Sequence, residues 1–192
     1  MTDYAPYILL ICDSDNTQGC GFIVGDKFIT TAHTIAQTVN PFVMVQGERV
    51  NLSKENAEVF IFDETEQDHE QDIAVYAVKN VNSPLSLSEC VPYPNAELES
   101  YTRRIVPDLL NPLLVDCKTK VSDEREGNLF GTTTSIQLVK GDSGSPLIAD
   151  NVVYGMLIGG IEKTPSCVYL SSRAIRKYIR TIHSPRQITL GL

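Results

Sequence analysis

The stretch KGDSGSPLIADNVVYGMLIGG, residues 140–160, holds two short strand signals and, just ahead of them, a serine bracketed by glycines. SPLIA (145–149) and NVVYGMLI (151–158) are brief runs rich in β-branched and other apolar residues, the pattern of neighbouring strands. Gly141 and Gly144 flank Asp142 and Ser143, so no bulky neighbour shields the serine hydroxyl and bare backbone N–H groups lie beside it. A surface turn can use the same residue types. The rest of the chain decides between a turn and a chemical site.

Outward from this stretch, strand signals dominate. YILLIC (7–12), GFIV (21–24), KFITTA (27–32), FVMVQ (42–46), AEVFIF (57–62) and DIAVYAV (72–78) form a first set, divided by turn formers such as DSDNTQG and GDK. RRIV (103–106), PLLVDC (112–117), TTTSIQLV (132–139), SPLIA, NVVYGMLI and CVYL (167–170) form a second. Between them lies VNSPLSLSECVPYPN (81–95), rich in proline and serine. Only SSRAIRKYIRTI changes period: Ala174, Ile175, Tyr178, Ile179 and Ile182 recur at helical spacing, with Ser171 or Ser172 as N-cap. The expected architecture is all-β. Two antiparallel six-stranded barrels span 1–88 and 105–192, joined by a connector at 89–104 and closed by a helix at about 171–183.

Composition narrows the function classes. With 192 residues, 42% apolar and 21% charged, the chain is an ordinary globular one. The net charge of −8 argues against nucleic acid, which rewards basic faces. No apolar run reaches membrane-spanning length, and MTDYAPYILL has no basic segment of a secretion signal. The acidic run DETEQDHEQD (63–72) reads as a solvated loop, with His69 a bystander and calcium the lesser alternative. Cysteines 12, 20, 90, 117 and 167 show no metal-binding spacing, so neither metal nor cofactor is expected. Their odd, scattered count suits free thiols and an intracellular setting, with secretion as the alternative.

Among three histidines, His33 stands where the strand FITTA meets a loop, and Asp72 opens the strand DIAVYAV. Each alone reads equally as a structural residue. Together with Ser143 they supply three complementary roles. A serine hydroxyl is a weak nucleophile until a base takes its proton, and an imidazole base works best when a carboxylate fixes its tautomer. His33 and Asp72 fall in the first strand set and Ser143 in the second, which places the site in a cleft between barrels.

These local strings resemble the chymotrypsin-like serine proteases. ITTAHT, DIAVY and GDSGSPL occur in the family's order, and VVYGMLIGG, CVYLSS and RAIRKYI resemble its later strands and terminal helix. The resemblance runs from about residue 5 to 181. It implies Ser143 as nucleophile, His33 as general base and then acid, Asp72 as orienting carboxylate, and the N–H groups of Gly141 and Ser143 as oxyanion hole. It also implies a specificity pocket walled by Gln137 to Lys140 and by Ile158, Gly159 and Gly160, with Gln137 near its base and Cys167 narrowing its far wall. No acid stands at that base, so the expected substrate is a polypeptide presenting an uncharged, apolar or medium-sized side chain, its own polyprotein being one option.

Departures are specific. The extracellular members pair a new N-terminal amine, from Ile-Val-Gly-Gly, with the aspartate before the nucleophile, and MTDYAPYILL has no such start. Asp142 therefore needs another partner. The features favour a non-zymogen serine endopeptidase, as in compact viral polyprotein-processing members. The alternative is a protease-like binding module that keeps the three residues without a working oxyanion hole.

Overall fold

The computed structural model describes residues 3–13, 17–63, 71–105, 111–160 and 163–183. Its first sheet holds β1 (Ile8–Cys12), β2 (Thr17–Val24), β3 (Lys27–Thr30), β4 (Phe42–Val45), β5 (Glu48–Asn51), β6 (Val59–Phe62) and β7 (Asp72–Ala77). All are antiparallel, in the order β5-β4-β1-β2-β3-β7-β6. The second sheet runs β12 (Pro146–Ala149), β9 (Glu97–Arg104), β10 (Leu113–Glu126), β11 (Leu129–Thr134), β14 (Ser166–Ser171), β13 (Val152–Gly160) and β8 (Ser86–Leu87). Pairing of β12 with β13 closes six of these strands into a barrel. Among the described residues the chain also forms a 3-10 turn at Ala5–Tyr7 and two α-helices, α1 (Ala32–Ala36) and α2 (Ser172–His183).

The two-barrel, all-β architecture with a terminal helix is as expected, and the second barrel closes with six strands, but each sheet carries one strand more than the sequence signals. Each sheet has seven strands. The additions are β5, whose ERVN leaves three of four residues exposed and so carries no apolar alternation, and the two-residue β8. The domain limits also move. Ser86–Leu87, placed in the first barrel from sequence, pairs in parallel with Val152–Val153 of the second. The connector expected at 89–104 contains β9, which pairs with β10 along its whole length. β9 reads ELESYTRR, and its inward positions include Ser100 and Thr102, so polar side chains occupy the buried face and hide the strand.

Three apolar clusters hold the fold. One fills the first sheet around Ile23, Phe28, Val43 and Tyr76, and one fills the closed barrel around Val121, Phe130, Leu147 and Tyr169. The third joins the two sheets: Ile8, Phe22, Ile29 and Val75 meet Ile148, Met156, Ile158, Leu170 and Ile175. Each such large side chain contributes about 1.5–3 kcal/mol on burial, so the relative position of the sheets is fixed by core packing. Helix α2 starts one residue after the expected range, with Ser171 Oγ accepting the Ala174 N–H. Arg103 adds a polar tie, donating to the Ile8 and Ala5 carbonyls across the sheet boundary. No helix among the described residues is long and apolar enough to cross a membrane.

Candidate active site

His33 lies on α1, a single helical turn, and not on a strand-to-loop edge. Thr31 at its N-cap is extended, and its hydroxyl meets that of Thr34 at 2.7 Å. The turn brings both donors of His33 onto one carboxylate. Its backbone N–H donates to Asp72 Oδ1 at 2.8 Å and its ring Nδ1 lies 2.5 Å from Asp72 Oδ2. Asp72 is wholly buried at the first residue of β7, opposite Phe62. A buried carboxylate is costly unless its oxygens are satisfied, and here both are. An ionised carboxylate only accepts, so Nδ1 carries the proton and Nε2 is left as the basic nitrogen.

Ser143 sits in the turn between β11 and β12, half-buried. Two nested turns shape it, Asp142 N–H to Val139 C=O at 3.0 Å and Ser145 N–H to Asp142 C=O at 3.1 Å. Gly141 and Gly144 have φ of +100° and +87°, a region costly for residues with a β-carbon. At Gly144 space is lacking too: a β-carbon there would lie 2.0 Å from the Cys20 carbonyl oxygen. That closeness joins the Ser143 turn to β2. The Cys20 N–H donates to the Ser143 carbonyl at 2.8 Å. Next to it, a β-carbon on Gly19 would lie 3.3 Å from the Ser143 carbonyl oxygen and 2.7 Å from Thr34 Cγ2. The bare Gly19 backbone thus brings the Ser143 turn against the helical turn that carries His33.

Neither the Gly141 nor the Ser143 N–H donates to another described residue, so both remain available to an incoming oxygen. Ser143 Oγ also makes no hydrogen bond to a described residue. Catalytic hydrogen bonds of this kind commonly tighten only once substrate is bound.

Asp142 has the partner its sequence context required. Only 1% exposed, it accepts from Arg104 Nη2 at 2.6 Å and Nε at 3.1 Å, from the Thr102 hydroxyl at 2.8 Å and from the Val139 N–H at 2.7 Å. The bidentate bond holds the Arg104 guanidinium above its ordinary range. Arg104 also reaches the Gln137 carbonyl at 3.4 Å. Sequence reasoning passed over both Arg104 and Thr102, taking RRIV only as a strand. The signal was present: an acid beside a candidate serine needs a counter-charge, and alternation along a strand sends Arg103 and Arg104 to opposite sides.

Beside Ser143 lies a pocket of about 400 Å³. Gln137, Leu138, Val139 and Lys140 of the expected wall line it with Gly159, Gly160 and Cys167, together with Leu157, Thr164 and Ser166, which were not singled out from sequence. Two expectations are corrected. Ile158 is not a wall residue but is 5% exposed within the core between the sheets. The β13–β14 register shifts between Leu157 and Gly159, so Ile158 is the extra residue of a bulge and its neighbours take the wall. Gln137 is exposed, so it stands toward solvent and not at a closed base. The stretch 135–139, read as strand, leaves the sheet after Thr134 and runs along this pocket. His69 and residues 64–70 of the acidic run lie outside the described residues.

No protein-family model matches the chain, and no curated protein matches it in sequence. Solved structures match its fold. Neuropsin, a serine protease expressed in the limbic system of mouse brain, superposes with a TM-score of 0.72 at 16% identity, over 93% of this chain and 95% of that one. A protease from M. tuberculosis in its active form gives 0.67 at 18%, over 98% and 86%. The tobacco vein mottling virus protease gives 0.63 at 11%, over 94% and 85%. The chain therefore has the chymotrypsin-like serine protease fold. Identities this low speak for the fold, and activity has to be argued from the site.

Proposed function

We propose that the protein is a serine endopeptidase in which Ser143, His33 and Asp72 act as nucleophile, base and orienting carboxylate. The observation that carries this reading is the paired contact of His33 with one buried carboxylate, through its backbone N–H and its Nδ1. That arrangement leaves a single basic nitrogen, Nε2, on the helical turn packed against the Ser143 turn.

In the proposed reaction Ser143 Oγ adds to the carbonyl carbon of a peptide bond and its proton passes to His33 Nε2. The oxygen of the tetrahedral intermediate takes its charge next to the N–H groups of Gly141 and Ser143. Collapse breaks the C–N bond, the proton passes from His33 to the leaving amine, and water then hydrolyses the acyl-enzyme by the same route. The chemistry draws on these side chains and backbone groups, and the substrate is a polypeptide. Arg104, Thr102 and the Val139 N–H supply the bonds to Asp142 that an N-terminal amine supplies in the extracellular proteases, which supports a nucleophile turn that is ordered without cleavage.

The test is intact-mass analysis after treatment with a fluorophosphonate, run beside Ser143→Ala. Such a probe needs an activated serine and a formed oxyanion hole. One adduct on the wild type and none on the variant is the expected result. A folded wild type with no adduct would overturn the reading in favour of a binding module on a protease fold.

A further inference from the structure

We infer that the pocket beside Ser143 selects an uncharged side chain of leucine or methionine size on the acyl side of the scissile bond, and that Cys167 is the stopper that sets its depth. The inference rests on the endopeptidase reading above and names the substrate class of that site.

Charge decides first. Among the described residues lining the pocket, none is a carboxylate and Lys140 is the one charged group. A lysine or arginine entering would lose its hydration with no counter-charge to meet, a heavy cost. An acidic side chain would have only Lys140, whose ammonium is exposed. An ion pair in that setting is worth roughly two- to fivefold in affinity. Against this, Leu138, Leu157 and Cys167 form apolar wall, the latter two 2% and 3% exposed. Burying a leucine-sized side chain on such a surface contributes roughly tenfold to a hundredfold. Apolar burial outweighs the rim charge.

Depth follows from strand register. Thr132 pairs with Cys167 across β11 and β14, and Cys167 pairs with Gly160 across β14 and β13. Residues directly opposite in a sheet share a face, so the three form one row. At one end Gly160 offers no side chain, and a β-carbon there would lie 3.6 Å from Cys167 Sγ. At the other end Thr132 is 2% exposed, and its hydroxyl has no hydrogen-bond partner among the described residues. By register Cys167 stands between Gly160 and Thr132 in this row, and its thiol lies 3.8 Å from the Pro165 carbonyl. Burial pushes that thiol up to about 11, so at neutral pH it is a neutral apolar wall and not a thiolate. Removing it extends the pocket toward Thr132, where an aromatic ring could go.

The experiment has two arms. In the first, kcat/KM is measured for peptide substrates that differ only in the acyl-side residue: Leu, Met, Phe, Tyr, Glu and Lys. The wild type is expected to favour Leu and Met over Phe by about tenfold, and over Glu and Lys by about a hundredfold. Cys167→Ala and Cys167→Gly are expected to raise the Phe-to-Leu ratio by tenfold or more, and Cys167→Ser to leave it nearly unchanged. In the second arm, binding of tetrapeptide acids ending in the same residues is measured on folded Ser143→Ala by calorimetry, which reads the pocket without turnover. A preference for Glu or Lys in either arm, or an unchanged Phe-to-Leu ratio in both Cys167 truncations, would overturn the inference. Selective binding of Leu-ended peptides by a wild type that neither turns over nor takes the fluorophosphonate would uphold the pocket and defeat the endopeptidase reading.

Discussion

The Asp142 carboxylate and the Arg104 guanidinium meet in a two-pronged pair, 2.6 Å and 3.1 Å, that ties the Ser143 turn to the end of β9. Asp142 is buried at 1% exposure, so the pair fixes its charge in a place where water cannot. Removing one partner of a buried pair strands the other, at a cost of about 3–5 kcal/mol. Arg104→Gln is therefore expected to lower the melting temperature by roughly 6–20 °C and to abolish fluorophosphonate labelling of Ser143. Thermal unfolding followed by circular dichroism, with labelling below the transition, checks both. Full labelling in a folded Arg104→Gln would show that the turn is ordered by other contacts.

In the proposed mechanism Asp72 acts through His33, whose backbone N–H and Nδ1 both meet its carboxylate. With its two oxygens taken by the backbone N–H and Nδ1 of one residue, Asp72→Asn keeps the shape but offers an amide where an acceptor is needed. The ring then favours the wrong tautomer. The expected loss in kcat is on the order of 10⁴, the magnitude known for this change in the chymotrypsin-type template, with peptide binding little altered. Single-turnover kinetics beside product-peptide calorimetry separate the two quantities. A loss of less than about tenfold would remove Asp72 from the mechanism.

The three residues proposed as a triad could be picked out in the sequence because each sits in a run with its own local signature: ITTAHT, DIAVY and GDSGSP. The sequence disclosed most strands for the same reason, since apolar alternation marks a half-buried strand. What it concealed depends on long-range partners. β9 buries Ser100 and Thr102, whose polarity reads as loop until Tyr169 and Asp142 arrive to bond them. Arg104 was read only as part of the strand RRIV because its counter-charge is 38 residues away. Ile158 was placed in the pocket wall by the family resemblance, and the bulge in β13 turns it into the core. Local pattern gives elements; registers, bulges and ion pairs belong to the assembled sheets.

The two glycines of the Ser143 turn should separate cleanly on mutation. Gly144→Ala meets the Cys20 carbonyl at 2.0 Å as well as an unfavourable φ of +87°. Backbone must move, and the loss is expected to exceed about 3 kcal/mol, with little folded protein recovered. Gly141→Ala has open space around the new carbon and pays only for its φ of +100°, about 1–2 kcal/mol. That variant should fold, with a urea midpoint shifted modestly. Similar midpoints for the two variants would contradict the packing of Gly144 on Cys20.

Alkaline pH should weaken the fold before it affects any surface charge pattern. Burial raises the thiols of Cys20, Cys117 and Cys167, the last to about 11, and holds the buried phenol of Tyr169 well above its ordinary value. A group raised in the folded state contributes stability that is complete below its unfolded value and is lost as pH rises toward the folded one. For thiols that loss begins near pH 9, where the unfolded chain sheds protons that the folded chain keeps. The melting temperature is expected to hold level from pH 7 to 8 and to fall by roughly 5–10 °C by pH 10. Replacing Cys117 and Cys167 together with serine removes two of these groups and is expected to flatten the decline, whatever it does to the starting value. A decline of equal steepness in wild type and double variant would mean that other groups govern the alkaline transition.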